Sequence, residues 1–191
     1  QRLEAEDTAQ VAWTQPAGQS YQVAVQTGDG WSSNNQKVLV GNAVNASVDL
    51  TFTAPIEADY ALGAMLSKAP NYGVLSLTLD RSVPLLRGDT FDAYSPNMIA
   101  VFQALGGAHL TAGQHTITIK SVGTNPASTQ NRYAIGVDYL FTTPINNVTT
   151  ASFTDAMNND GISDDGATVT SAKSLDLSGG SLSAQTLAAA G

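Results

Sequence analysis

Between Val48 and Tyr139 apolar and polar positions alternate with a period of two. Val48, Leu50 and Phe52 alternate with Asp49, Thr51 and Thr53, and Leu75, Leu77 and Leu79 with Ser76, Thr78 and Asp80. Ile117 and Ile119 alternate with Thr116, Thr118 and Lys120; Tyr133, Ile135, Val137 and Tyr139 alternate with Ala134, Gly136 and Asp138. Successive side chains of a strand point to opposite faces, so each run predicts a strand with one face buried. Turn formers separate the runs at Pro16–Gly18, Gly28–Gly30, Pro70–Gly73, Arg87–Asp89, Gly106–Gly107, Ala112–Gly113 and Asn125–Pro126. No segment holds a helical period for long. Many short strands punctuated by turns predict an all-β fold, a two-sheet antiparallel β-sandwich.

The pattern stops near Pro144. Residues 1–144 hold every Trp and Tyr, all three Glu and both His. Residues 145–191 hold one aromatic, Phe153, and 26 of those 47 residues are Ala, Gly, Ser or Thr. A segment so poor in large apolar groups buries too little surface to offset its own chain entropy. Residues 1–144 are therefore expected to form the sandwich. Residues 145–191 read as a linker, running from about Thr142 to Thr150, and the opening strands of a further, incomplete β-domain. A Ser/Thr/Gly/Ala-rich tail packed on the first domain is the alternative.

Composition then narrows the function. The chain has 191 residues, 42% of them hydrophobic, and a formal charge of −8 from 8 Lys+Arg against 16 Asp+Glu. Phosphate recognition needs clustered cations, and the four lysines and four arginines are scattered, which sets nucleic acid aside. Apolar stretches such as Tyr60–Leu66 are far shorter than the ~20 residues of a membrane-spanning helix, so no membrane partner is expected. No charged segment and apolar run follow Gln1, so a secretion signal is expected to be absent or already removed. Cysteine is absent, which removes disulfides and thiolate chemistry, and two histidines, His109 and His115, are too few for a His-rich metal centre. Charged residues make up 13%, about half the usual share, while 17 serines and 20 threonines supply hydroxyls. Such a surface suits a secreted bacterial β-protein.

One acidic group carries candidate chemistry. On a strand, Leu3 and Ala5 face one way and Glu4 and Glu6 the other. Asp138 lies among the small neighbours Ala134 and Gly136 on the last predicted strand. If the first and last strands pair, three carboxylates converge, and a hard cation with oxygen ligands, Ca2+ before others, relieves their repulsion. Solvated edge-strand charges are the alternative reading. As a glycosidase pair these acids fail, because Glu4 and Glu6 point in parallel instead of flanking a bond, and Glu57 sits in the turn Pro55–Asp59. There is no G-x-S-x-G motif and no Gly-rich phosphate loop. No catalytic residue is assigned. Asn158–Asp165 also fails as a calcium loop: with Gly161 in sixth place, Ala156 and Ala167 occupy the first and twelfth, where acids are required.

Aromatic and amide side chains meet in three predicted loops: Trp31 in Gly28–Gln36, Tyr72 in Lys68–Gly73, and Asn125 in Gly123–Asn131. Sugars present C–H faces ringed by hydroxyls, so their sites pair an aromatic platform with hydrogen-bonding amides and hydroxyls. Trp31 would supply the platform, with Tyr72, Asn125 and Asn34 bonding at its rim. A tryptophan plugging the end of the sandwich, and asparagines stabilising their own turns, are the alternatives.

The ordered series Leu3-Glu4-Ala5-Glu6-Asp7, Gly30-Trp31-Ser32, Asn71-Tyr72-Gly73, Leu77-Thr78-Leu79-Asp80, Phe91-Asp92-Ala93-Tyr94, Leu110–Thr116, Gly123–Ser128 and Gly136–Leu140 resembles a carbohydrate-binding module of the family 6 and 35 type. It is similar also to accessory β-domains of bacterial glycoside hydrolases, family 172 among them. The resemblance runs from about Arg2 to Pro144. It implies a galactose-binding-like jelly-roll and a structural calcium held by Glu4, Glu6 and Asp138. It also implies ligand contacts from loops at one end of the sandwich, where Trp31, Tyr72 and Asn125 lie. The sequence departs from the pattern at Asn71, where an acid is expected, and at Arg81, where glycine usually follows the strand-ending Asp80.

The expected function is that of a non-catalytic module from a secreted bacterial glycoside hydrolase, at an extracellular or cell-surface address. It would hold the catalytic domain of the same parent chain on a polysaccharide or glycan and raise the effective substrate concentration. A structural or assembly domain without a sugar site is the second reading. An enzyme in its own right is the third, and it lacks an opposed pair of acids.

Overall fold

The computed structural model describes residues 1–128 and 133–145, together with the strands Ala151–Ser152 and Thr168–Val169. The chain divides into two units, Gln1–Ile145 and Asn146–Gly191. The first unit contains β1 (Arg2–Glu4), β2 (Ala12–Thr14), β3 (Gln22–Thr27), β4 (Asn35–Val40), β5 (Ser47–Ala54) and β6 (Ala58–Lys68). It continues with β7 (Gly73–Leu79), β8 (Val83–Pro84), β9 (Phe91–Asp92), β10 (Ile99–Leu110), β11 (Gly113–Thr124) and β12 (Ile135–Pro144). No α-helix occurs among the described residues.

Two antiparallel sheets form the expected sandwich. Sheet A runs β10-β6-β12-β4-β3, with β1 added to β12; sheet B runs β2-β5-β11-β7-β8, with β9 added to β7. The period-two pattern places the core between them. Val48, Leu50 and Phe52 of β5, Ile117 and Ile119 of β11, and Leu75, Leu77 and Leu79 of β7 project inward from sheet B. Tyr60, Leu62, Ala64 and Leu66 of β6 and Ile135 and Val137 of β12 meet them from sheet A. Removing such side chains from water stabilises by about 1.5–3 kcal/mol each.

One alternation is broken. The register of β12 against β6 slips between Val137 and Tyr139, a bulge that inserts an extra residue. Leu140 therefore enters the core opposite Leu3, and Tyr139 turns to the outer face of sheet A instead of following Val137 inward. At the end of β7, Asp80 and Arg81 take φ of 47° and 61°. That left-handed backbone is where the resemblance expects glycine, the residue that adopts it without steric cost.

The second unit shows β13 (Ala151–Ser152) paired antiparallel with β14 (Thr168–Val169). The rest of the unfinished domain expected over 145–191, with Phe153 and Asn158–Asp165, lies outside the described residues.

Candidate functional site: an acid cluster beside an aromatic sheet face

The acid cluster forms because β1 pairs with β12. Glu4 lies opposite Tyr139, and the Ala5 N–H donates to the Asp138 carbonyl at 2.9 Å. The chain leaves the strand after Glu4, and one carboxylate oxygen from each of Glu4, Glu6 and Asp138 lies within 4.8 Å of the others. Asp138 is 1% exposed. The Ser32 N–H donates to both Asp138 oxygens, at 3.2 and 3.0 Å. The Ser32 hydroxyl lies 2.6 Å from Glu4 Oε2 and 2.5 Å from Asp138 Oδ1.

That hydroxyl has one proton and two carboxylate neighbours, so one short oxygen–oxygen contact lacks a donor. Glu6 Oε2 is buried with no hydrogen-bond partner. Burial pushes the Glu6 carboxyl above its ordinary range; a backbone bond opposes this, and the charges of Glu4, Asp138 and Asp7 add to it. Burial likewise raises Asp138, against the Ser32 hydrogen bonds, with Glu4 raising it further and Arg2 lowering it. Arg2 Nε pairs with Glu4 Oε1 at 2.7 Å, while Glu6 Oε2 has no hydrogen-bond partner and feels the Lys37 ammonium through space. Hard oxygen donors, an orphaned buried oxygen and a missing proton are the properties that fit a Ca2+ site.

Trp31 immediately precedes Ser32 in the hairpin between β3 and β4. Its indole N–H donates to Ser67 Oγ at 2.9 Å, and its ring covers Gly28, where a Cβ would lie 2.8 Å from ring carbon Cζ3. Ser67 Oγ in turn donates to Gln36 Oε1 at 2.5 Å, and Gln36 Nε2 donates to the Tyr72 hydroxyl at 3.3 Å. Ser67 follows core-facing Leu66 on β6, so Trp31 lies on the outer face of sheet A.

The same face carries more aromatic surface. Met65 lies between Phe102 of β10 and Tyr139 of β12, two residues along β6 from Ser67. Phe102 is 48% exposed and meets Phe141 edge-on at 6.1 Å between ring centres. Gly63 makes room for it, since a Cβ there would lie 2.5 Å from the Phe102 ring. The Arg2 guanidinium stands 5.5 Å over the Tyr139 ring. Trp31, Phe102, Tyr139 and Phe141 thus share one partly exposed face next to the acid cluster.

The residues expected at a loop site fare differently. Tyr72 is 1% exposed, its ring buried over Gly136 on the Trp31 side of sheet A, a correction to its expected place at a sugar rim. Gly136 admits its ring, because a Cβ there would approach Tyr72 Cε2 to 2.6 Å. Burial pushes the Tyr72 hydroxyl up to about 12, against the Gln36 bond. Asn125 stays in its turn: Nδ2 donates to Asp92 Oδ2 at 2.6 Å and Oδ1 accepts from the Ala127 N–H at 2.9 Å. Asn34 is exposed in the Trp31 hairpin. Phe102, Tyr139 and Phe141 were missed by sequence reasoning. The signal for Phe102 was a phenylalanine on a strand that reads as an exposed edge; for Tyr139 no local signal existed, because the bulge hides it.

No protein-family profile and no curated protein sequence matches the chain. Solved structures do. A Paenibacillus xanthan lyase matches with a TM-score of 0.63 at 18% identity, over 78% of this chain and 13% of that one. A family 35 carbohydrate-binding module from Clostridium thermocellum matches with a TM-score of 0.47 at 16% identity, over 75% of this chain and 98% of that one. The Podospora anserina GH26-CBM35 β-(1,4)-mannanase matches with a TM-score of 0.47 at 15% identity, over 78% and 31%. The chain spans a small part of the xanthan lyase, and that likeness is one of fold. The family 172 likeness has no counterpart among these three.

Proposed function

We propose that residues 1–145 form a non-catalytic carbohydrate-binding module that places a secreted glycoside hydrolase of the same parent chain on its polysaccharide. The observation that carries this reading is the Trp31 ring. It is seated on Gly28, fixed through its indole N–H to Ser67, and left partly exposed on the sheet face that also carries Phe102, Tyr139 and Phe141. A ring held in place stacks on a sugar without first losing side-chain freedom, so its apolar contact is realised as affinity. Glu4, Glu6 and Asp138 would hold a structural Ca2+ that ties β1 to β12 and offsets their repulsion. Affinity electrophoresis against plant, fungal and bacterial polysaccharides, with calcium present, tests the reading. Retardation that Trp31→Ala abolishes supports it; no retardation by any polysaccharide overturns it.

A second reading has its own observation. Met98, Ile99 and Phe102 expose apolar surface along β10, the edge strand of sheet A, as a surface that packs on a neighbouring domain would. Under that reading Phe102→Ser weakens association with the parent catalytic domain.

A further inference from the structure

We propose that Ser32 couples the acid cluster to the Trp31 ring, so that a divalent cation on Glu4, Glu6 and Asp138 sets the position of the sugar platform. The inference rests on the reading of Trp31 as platform and of the three acids as cation ligands, and adds the link between them. Trp31 and Ser32 are consecutive, and Trp31 has extended backbone, φ −118° and ψ 159°, which sends successive side chains to opposite sides. Trp31 reaches Ser67 on the face of sheet A, while the Ser32 hydroxyl and N–H both end on the acids.

The rest of the hairpin needs that anchor. Ser33 and Asn34 take φ of 52° and 56°, left-handed backbone that non-glycine residues adopt only where surrounding contacts impose it. Within the hairpin those contacts are the Gly28 N–H to the Asn34 carbonyl at 2.9 Å, the Asn34 N–H to the Trp31 carbonyl at 3.2 Å, the Asn35 N–H to the Ser32 carbonyl and the Asn35 side-chain amide to the Ser33 carbonyl at 3.1 Å. Ser32 supplies the attachment to β1 and β12. Without a cation, three carboxylates repel one another around a hydroxyl that has one proton to give, and their hold on Ser32 loosens. A cation draws the carboxylates together and fixes Ser32, and with it the peptide that carries Trp31. Coupling of this kind is reciprocal: whatever factor the cation adds to sugar affinity, bound sugar adds to cation affinity.

The test uses the full chain carrying Trp13→Phe, which leaves Trp31 as the single tryptophan. Ca2+ alone is titrated, with binding read by calorimetry and thermal melting, and with Trp31 read by its emission wavelength and acrylamide quenching. The expected result is a blue shift and a fall in quenching that follow calcium occupancy. In Ser32→Ala, which loses the hydroxyl and keeps the backbone N–H, calcium still raises the melting temperature but the Trp31 signal follows it less, and Ser32→Thr, which keeps the hydroxyl, restores the response. Calcium binding with an unmoved Trp31 signal, or a Ser32→Ala response equal to the parent's, overturns the coupling and leaves the sugar reading standing. Absence of any calcium binding overturns the coupling together with the cation reading. Loss of polysaccharide retardation alone strikes the proposed function and not the Ser32 link.

Discussion

Across the outer face of sheet B, hydroxyls and charges pair with one another. The Thr51 and Thr116 hydroxyls lie 3.1 Å apart, Thr118 Oγ1 donates to Asp49 Oδ1 at 2.6 Å, and Arg81 Nη2 donates to Asp49 Oδ2 at 2.8 Å. Across the outer face of sheet A, Phe102 meets Phe141 edge-on, Met65 lies between Phe102 and Tyr139, and Trp31 covers Ser67. Both faces flank the same core and both see solvent. The first pairs these polar groups with one another. The second keeps apolar rings partly in water, an arrangement that disfavours the free protein and becomes favourable when something covers it. The two faces therefore differ in what is left unsatisfied, which is what the proposed ligand role of the second rests on. The acid cluster, with Glu6 Oε2 unpartnered, lies on the side of the second.

The largest expected effect comes from loading the acid cluster. Calcium at a thousandfold excess over its dissociation constant stabilises by about 4 kcal/mol, and chelation removes the gain, as thermal melts with and without EDTA will show. Glu6→Gln abolishes the response. In chelator the same variant melts at or above the parent, because a raised folded-state pKa means that folding disfavours the ionised Glu6 side chain at neutral pH. The penalty is absent at low pH, where Glu6 is protonated in both states, and develops as pH rises through the unfolded and then the higher folded pKa. An identical melt of the parent in calcium and in chelator would remove the distinction drawn for this side of sheet A.

Next in size is the platform. Trp31→Ala costs polysaccharide affinity on the order of 1–3 kcal/mol, by analogy with stacking on other aromatic platforms, while the circular-dichroism melt stays close to the parent's. Unfolding with residual binding intact would make Trp31 a plug. On the other face, Asp49→Ala should do the reverse. It leaves Thr118 and Arg81 without their acceptor, costs about 1–3 kcal/mol of stability for the buried bond, and leaves polysaccharide retardation unchanged. An Asp49 variant that lost binding at unchanged stability would erase the contrast between the faces.

The smallest effect is a pH dependence in sheet B. His115 Nδ1 lies 2.8 Å from Asp80 Oδ2 and Nε2 lies 2.9 Å from the Thr111 carbonyl, and both partners are acceptors. Burial pulls the imidazole pKa down, but the Asp80 hydrogen bond, the Thr111 carbonyl and the Asp80 charge together raise it. The protonated ring therefore stabilises the fold below its unfolded-state pKa of about 6.5, and the contribution is lost as pH rises through the higher folded value. His115→Gln should flatten the melting temperature across that window and leave binding unmoved.

How far the molecule could be read in advance differs by level. The strands over Val48–Phe52, Leu75–Leu79 and Ile117–Ile119 follow from a period of two, because a pleated strand with one buried face imposes that period on its own sequence. The convergence of Glu4, Glu6 and Asp138 was legible as a condition: it needed β1 to pair with β12, and it does. Tyr72 was misplaced because a tyrosine in Asn71-Tyr72-Gly73 reads as a surface loop. The space above Gly136 and the Gln36 amide bury its ring against sheet A. The Trp31 hairpin was legible as a loop, but its attachments to Ser67, Glu4 and Asp138 cross 36, 28 and 106 residues of sequence.

By itself, then, the sequence determined what is encoded between near neighbours: the strands, their turns, the inward residues, and the scarcity of basic and sulfur chemistry. Tertiary structure decided which outer face carries the rings. One slipped residue after Val137 turned Tyr139 outward and Leu140 inward, and a Cβ missing at Gly63 gave Phe102 its place. A register shift and a close approach are properties of two strands at once. Neither strand's own pattern of apolar and polar residues records them.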